Sequence, residues 1–183
     1  MAVAISRFPA YLTLVGRSGA NGPSRSASSP LVLREVLRPA QRDPLCGVAT
    51  RHALLERLET IGSLAPAAAL SFVLIKVDGI AAVNRDHGLR AGDHVLRAVA
   101  DLITAYSRAT DTVGRLAGAS FGVVLQGTGS TGASSAAARL SFYLGQLAVD
   151  GRAVSARVTV ATGKGINAET LLDAAFDSLD DCG

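Results

Sequence analysis

An arginine and a carboxylate three residues apart, Arg108 and Asp111, form one pair in this sequence suited to a charged ligand. A guanidinium meets a phosphate through two parallel N–H donors and also stacks on a purine. The same two residues read equally as a solvated surface arginine and an aspartate that opens a strand. Lys76 and Asp78 lie two apart at the end of an apolar run, where the lysine is expected to reach solvent along its own stem and pair with Asp78. The rival reading makes it a catalytic lysine or one that grips a nucleotide. Asn84 and Asp93 supply an amide and a carboxylate; read for structure alone, Asn84 ends a short helix and Asp93 sits in the first turn of the next, favoured there by the helix dipole. His52, His87 and His94 are not at ligand spacing with other donors, and Cys46 and Cys182 form no CxxC pair, so neither a zinc site nor a disulfide framework is suggested. Cys46 reads as packing, His87 as part of the turn before Gly88, and His94 as the exposed side of its helix.

The elements that must position these groups belong to one globular unit. The chain has 183 residues, 49% hydrophobic and 18% charged, enough for one full core and too few for two ordinary domains. Its formal net charge of +3 comes with arginines scattered along the chain, without a basic block interleaved with aromatics, which argues against nucleic acid as a partner. Residues 1–17 are an expected short tail; Arg7 and Pro9 interrupt its apolar stretch, so neither a membrane anchor nor a signal peptide is expected, and the cysteine usage implies a cytoplasmic setting. Residues 18–30 (SGANGPSRSASSP from Ser18) read as a flexible linker and 31–42 as a lead-in helix ended by Pro39. The domain proper is expected over 43–183.

Within it, Thr50 is placed to cap a helix that carries Leu54, Leu55, Leu58 and Ile61 on one face and stops at Gly62. Leu70 to Val77 is a short, nearly continuous apolar run, expected to be a strand buried on both faces. After a short turn of helix, Ala91 to Tyr106 repeats its apolar residues every three or four positions, an amphipathic helix. Thr112 to Leu116 and Phe121 to Gln126 read as a β-hairpin with Ala117, Gly118, Ala119 and Ser120 as its turn and Gly118 at the left-handed position. A helix over Thr131 to Ala148, a strand over Val154 to Ala161 and a helix from Ala168 to Leu179 capped by Asn167 complete the chain. The order is βαββαβ, a ferredoxin-like α+β fold in which helices are expected on one face of a four-stranded antiparallel sheet.

Four stretches, read in order from Asp43 to about Leu179, resemble the GGDEF family of diguanylate cyclases. Asp43-Pro44-Leu45-Cys46-Gly47 with Arg51 is similar to that family's DPLTGLxNR, with Cys46 in place of Thr and Thr50 in place of Asn. Lys76 to Gly88, continuing to Gly92-Asp93, resembles its DxDxFKxxND block and the GD that follows. Arg108 and Asp111 match RxxD, and Arg115 to Phe121 match RxGGDEF with the signature reduced to Ala117-Gly118-Ala119-Ser120-Phe121. Arg157 through Gly163 is similar to the family's VTxSxG strand.

The resemblance implies a nucleotidyl cyclase fold and a site at which one GTP attacks another, with magnesium held by the first Asp of DxD and a Glu of the signature. Here those two positions hold Lys76 and Ser120, and the neighbouring acid is Ala119. At an effective dielectric of 20, unit charges ~4 Å apart interact by about 4 kcal/mol, and a dication beside Lys76 would feel roughly twice that as repulsion. The methyl group of Ala117 narrows the approach that paired glycines leave to phosphates. Where the family's closing helix carries a basic phosphate clamp, this chain has Asp180-Asp181. The expectation is therefore no bound magnesium, no other cofactor and no cyclase activity. Asn84 and Asp93 stand where the resemblance implies guanine recognition, and Arg108 and Asp111 where it implies an inhibitory cyclic di-GMP site. GTP or cyclic di-GMP are the implied ligands of a regulatory module in cyclic di-GMP signalling. A residual cyclase and a ligand-free scaffold, docking a second copy or another protein, are the alternatives.

Overall fold

The structure, a computed structural model, describes residues 37–64, 70–163 and 167–180. The expected tail, the linker and residues 31–36 of the lead-in helix lie outside the described residues, as do Asp181 and the side chain of Asp180. The described end of that segment departs from the expectation. Pro39–Gln41 is a single 3-10 turn with the proline at its start, where the missing N–H costs nothing, and Arg42 then bridges to Ala49 in extended conformation.

Helix α1 (Arg51–Leu64) begins where Thr50 Oγ1 accepts the N–H of Ala53 at 3.3 Å. It does not stop at Gly62. Glycine ends a helix by adopting positive φ, and Gly62 is not among the glycines that do so; α1 runs two residues further, anchored by buried Leu54, Leu58 and Ile61. Strand β1 (Leu70–Val77) follows, then α2 (Ile80–His87), α3 (Leu89–Tyr106), β2 (Thr112–Ala117) and β3 (Ser120–Leu125). The turn between β2 and β3 is only Gly118-Ala119, with Gly118 at φ 55°; Ala117 and Ser120 are already paired, so the hairpin is tighter than the sequence suggested.

Helix α4 (Ser130–Gly145) ends earlier than expected, because residues 148–153 form a small hairpin of β4 (Ala148–Val149) and β5 (Arg152–Ala153). Asp150 and Gly151 turn it at φ 50° and 77°, the two positive values that a two-residue type I′ turn requires. That Asp-Gly pair was a readable signal which the sequence reading passed over. Strand β6 (Ala156–Gly163) therefore starts two residues late, and α5 (Ala168–Asp180) opens with Asn167 Oδ1 accepting the N–H of Thr170 at 2.8 Å.

The four long strands lie in the order β2-β3-β1-β6, every neighbouring pair antiparallel. Helices cover both faces of this sheet, not one. Val73, Ile75 and Val77 of β1 pack with Val95, Val99 and Ile103 of α3 and Leu140 and Leu144 of α4. Leu70, Phe72 and Leu74 point the other way, against Leu54 and Leu58 of α1 and Leu171, Leu172 and Leu179 of α5. The continuous apolar run of β1 is the imprint of this double cover, since alternation survives only in a strand with one wet face. Burial of a side chain such as Phe72 or Leu74, both fully enclosed, stabilises by about 1.5–3 kcal/mol. Gly122 on β3 leaves room for the Phe72 ring and Leu54, which a Cβ there would overlap.

Candidate functional site

The central strand β1 delivers Lys76 to the end of the sheet beside the β2–β3 hairpin. Lys76 is registered opposite Ser120 of β3 on one side and Arg157 of β6 on the other. Alternation puts all three on the α1/α5 face, continuing the line of Leu70, Phe72 and Leu74 past the edge of the core. The Val77 N–H donates to the Ala119 carbonyl at 3.0 Å, which ties the strand to the hairpin tip. Asp78 does not pair with Lys76. Its Oδ1 accepts from Nε and Nη2 of Arg157 at 3.3 and 3.2 Å, both side chains about one-third exposed, and Arg157 Nη1 reaches the Leu179 carbonyl of α5 at 3.5 Å. The expected Lys76–Asp78 pair fails because the strand pairing brings a stronger, forked donor to the same carboxylate. Lys76 is half-buried and forms no ion pair among the described residues.

This donor set does not fit magnesium. A hard dication takes oxygen ligands, several of them anionic, and here it would meet an ammonium, a hydroxyl and a carboxylate already engaged. Among the described residues no three of His, Cys, Asp and Glu converge to hold a metal ion.

The hairpin tip itself is braced from below. Arg115 donates from Nε and Nη2 to the Gly118 carbonyl at 3.0 and 2.7 Å and from Nη1 to Asp43 Oδ1 at 3.4 Å. The same Asp43 oxygen accepts the N–H groups of Leu45 and Cys46 at 3.1 and 2.9 Å. The turn at 43–47 and the hairpin tip are thus one hydrogen-bonded unit, with Asp43 and Arg115 each 17% exposed. Sequence reasoning matched both residues to motifs and did not foresee that they meet.

Asn84 lies on α2 and Asp93 on α3, and packing of the two helices brings them into one neighbourhood. The position of a Cβ on Gly92, beside Asp93, is occupied by the Asn84 amide oxygen, so only glycine admits the amide there. That Oδ1 is buried without a hydrogen-bond partner. Helix α3 starts at Leu89, two residues earlier than expected, which puts Asp93 beyond the first turn and removes most of the dipole argument for its presence. Gly79 and Gly88, at φ 75° and 83°, bound α2 and set its short span between strand and helix.

Arg108 and Asp111 line an open cavity of about 350 Å³ together with Arg42, Cys46, Asp101 and Thr104. They are not a side-chain ion pair. Asp111 Oδ2 accepts the backbone N–H of Arg108 at 2.9 Å, its Oδ1 is buried, and the Arg108 side chain is exposed. Desolvation raises the Asp111 carboxyl above its ordinary range, opposed by the backbone N–H of Arg108, the Arg108 charge, the backbone of Gln126 and the Arg139 charge. Arg139, on α4, donates from Nη2 to the Tyr106 carbonyl at 3.0 Å, beside a stack of Tyr106 on Tyr143 with centroids 3.8 Å apart. The sequence reading missed Arg139, which nothing marks along the chain; only the packing of α4 on α3 brings it to Asp111.

Cys46 donates its thiol to the Leu96 carbonyl at 3.7 Å, and burial pushes its pKa up to about 11, partly offset by Arg115; it packs and is not a nucleophile. His94 is half-exposed, 3.7 Å from Asp150, and His87 is exposed at the end of α2. No helix among the described residues is long and apolar enough to cross a membrane.

Residues 40–178 match the family described as diguanylate cyclase, GGDEF domain. The probable diguanylate cyclase DgcT of Escherichia coli K12 is 27% identical over 143 residues, covering 77% of this chain and 32% of that protein. A 19.3 kDa protein of Streptomyces ambofaciens without assigned function is 37% identical over 90 residues, 49% of this chain and 48% of its own. The chain thus spans less than half the length of these relatives. Among solved structures, the diguanylate cyclase SiaD of Pseudomonas aeruginosa, in complex with its activator SiaC, superposes with a TM-score of 0.71 at 28% identity, over 76% of this chain and 56% of SiaD. The GGDEF domain of DgcB from Caulobacter crescentus, in complex with c-di-GMP, gives 0.74 at 18% identity, over 80% and 92%, a likeness of fold.

Proposed function

Since the chain belongs to the diguanylate cyclase GGDEF-domain family, we propose that it is a catalytically silent member acting in the cytoplasm as a regulatory or interaction module of cyclic di-GMP signalling. The observation that carries the loss of activity is the registered pair of Lys76 and Ser120. These are the positions from which the resemblance calls for two anions on magnesium, and among the described residues no three of His, Cys, Asp and Glu gather to hold a metal ion. Without the metal the α-phosphate loses its main electrostatic activation, and a bound GTP has no route to the transition state.

Ligand binding is supported at two places. At Arg108 and Asp111, an exposed arginine and a carboxylate line one open cavity, with Arg139 close enough to add its charge. This is a donor and acceptor set for the phosphates and purine edges of cyclic di-GMP. At Asn84 and Asp93, an amide on α2 and a carboxylate on α3, groups of the kind that pair with the edge of a guanine, are carried by two helices packed on each other.

Calorimetric titration of the purified protein with cyclic di-GMP and with GTP tests the reading. Cyclic di-GMP binding that Arg108→Ala abolishes is the expected result. Binding of neither nucleotide would leave a ligand-free scaffold as the function, and turnover of GTP to cyclic di-GMP would overturn the proposal.

A further inference from the structure

The geometry points to Lys76 as the resident cation of the hairpin end. The polyphosphate of a guanine nucleotide is held there directly by the Lys76 ammonium and the Ser120 hydroxyl, with no divalent metal. This inference rests on the guanine reading of Asn84 and Asp93 and adds to it what holds the phosphates.

The strand register supplies the first argument. Lys76, Ser120 and Arg157 are neighbours across β3, β1 and β6, and Asp78 spends its charge on Arg157. Among the described side chains at this strand end, two cations meet one carboxylate, and Lys76 is the cation left without a partner there. A half-buried lysine at the end of a central strand is partly desolvated, which strengthens its attraction for an anion. Three rotatable N–H donors suit the non-bridging oxygens of a phosphate chain.

The second argument is connectivity. Lys76 and Asn84 are joined by the short Asp78-Gly79 turn, whose left-handed Gly79 folds α2 back from the strand end. Asn84 and Lys76, the latter without an ion pair among the described residues, are thus mounted on adjoining rigid elements, an amide suited to a base and an ammonium suited to an anion.

The sign of the magnesium effect follows. Magnesium on the nucleotide removes two of its negative charges and is itself repelled by Lys76, so the metal-free nucleotide is the better ligand. A site that uses magnesium as its bridge has the opposite preference.

The test is calorimetry with GTP in EDTA and in excess magnesium chloride, on the full chain. Wild type is expected to bind GTP about tenfold more tightly in EDTA, with affinity falling as salt rises. Lys76→Met keeps the apolar stem and loses the charge; it should lose about tenfold in GTP affinity while binding guanosine as wild type does, and Lys76→Arg should retain GTP. The double variant Lys76→Asp, Ser120→Glu should reverse the preference and bind GTP better with magnesium. GTP binding that needs magnesium in the wild type, or that survives unchanged in Lys76→Met while Asn84→Ala loses it, overturns the role of Lys76 and leaves the guanine site standing. Absence of both GTP and guanosine binding under either condition sinks the guanine reading and this inference together.

Discussion

Lys76 of β1 and Ser120 of β3 face each other across adjacent antiparallel strands, one registered pair at the mouth of the hairpin. Antiparallel pairing holds opposed side chains about 5 Å apart at Cβ, so the ammonium and the hydroxyl share one small volume. Purified protein given radiolabelled GTP and magnesium is expected to form no cyclic di-GMP, and product above the level of a blank would refute the silent reading.

Recognition at the cavity beside α3 separates by residue. Arg108→Ala and Asp111→Ala, which change the cavity lining, should each abolish cyclic di-GMP binding, and Arg139→Ala should weaken it less by removing a nearby positive charge. Isothermal titration of the three variants checks this; unchanged affinity in all three would move the site elsewhere.

Gly92 and Asn84 interlock, and a Cβ at position 92 would overlap the amide. Gly92→Ala is therefore expected to cost about 1–3 kcal/mol in urea unfolding, as an overpacked contact does, and to lose GTP with it. Asn84→Ala should lose GTP without that destabilisation. A Gly92→Ala variant as stable as wild type would contradict the packing.

Arg115 joins the Gly118 carbonyl to Asp43, and its truncation leaves a partly buried carboxylate without its cation. Arg115→Ala is expected to destabilise by about 1–3 kcal/mol and to speed amide exchange at the hairpin tip. Hydrogen exchange followed residue by residue reads both.

Two raised pKa values give pH signatures of defined sign. Asp111 titrates higher folded than unfolded, so its contribution to stability is present at low pH and lost as pH rises through the folded value. Stability of Asp111→Asn relative to wild type should thus increase from acid towards neutrality, provided the Arg108 N–H is still accepted by the amide. Cys46, raised to about 11, is a thiol at pH 8 and should resist alkylation until the domain unfolds, measured in a Cys182→Ser background. Rapid labelling of the folded protein at that pH would show that the thiol is not shielded as described.

The local chemistry of this fold was legible residue by residue. Thr50 and Asn167 cap the helices they precede, because a side-chain oxygen at that position satisfies an orphan N–H wherever the helix then packs. The run from Leu70 to Val77 is a strand with the expected bounds, and Gly118 turns its hairpin with positive φ. That Lys76 is cationic and Ser120 uncharged was equally visible, since charge belongs to the residue type and not to its surroundings. Partnership was not. Asp78 stands two residues from Lys76 in the chain and pairs instead with Arg157, which only the β1–β6 register brings to it. The Arg139 charge acts on Asp111 through the packing of α4 on α3, and helices cover both faces of the sheet because α1 and α5 have apolar stripes of their own to bury. Sequence sets what each side chain offers within its own turn or strand; which distant group it meets is decided by long-range packing, where burial far outweighs any local preference.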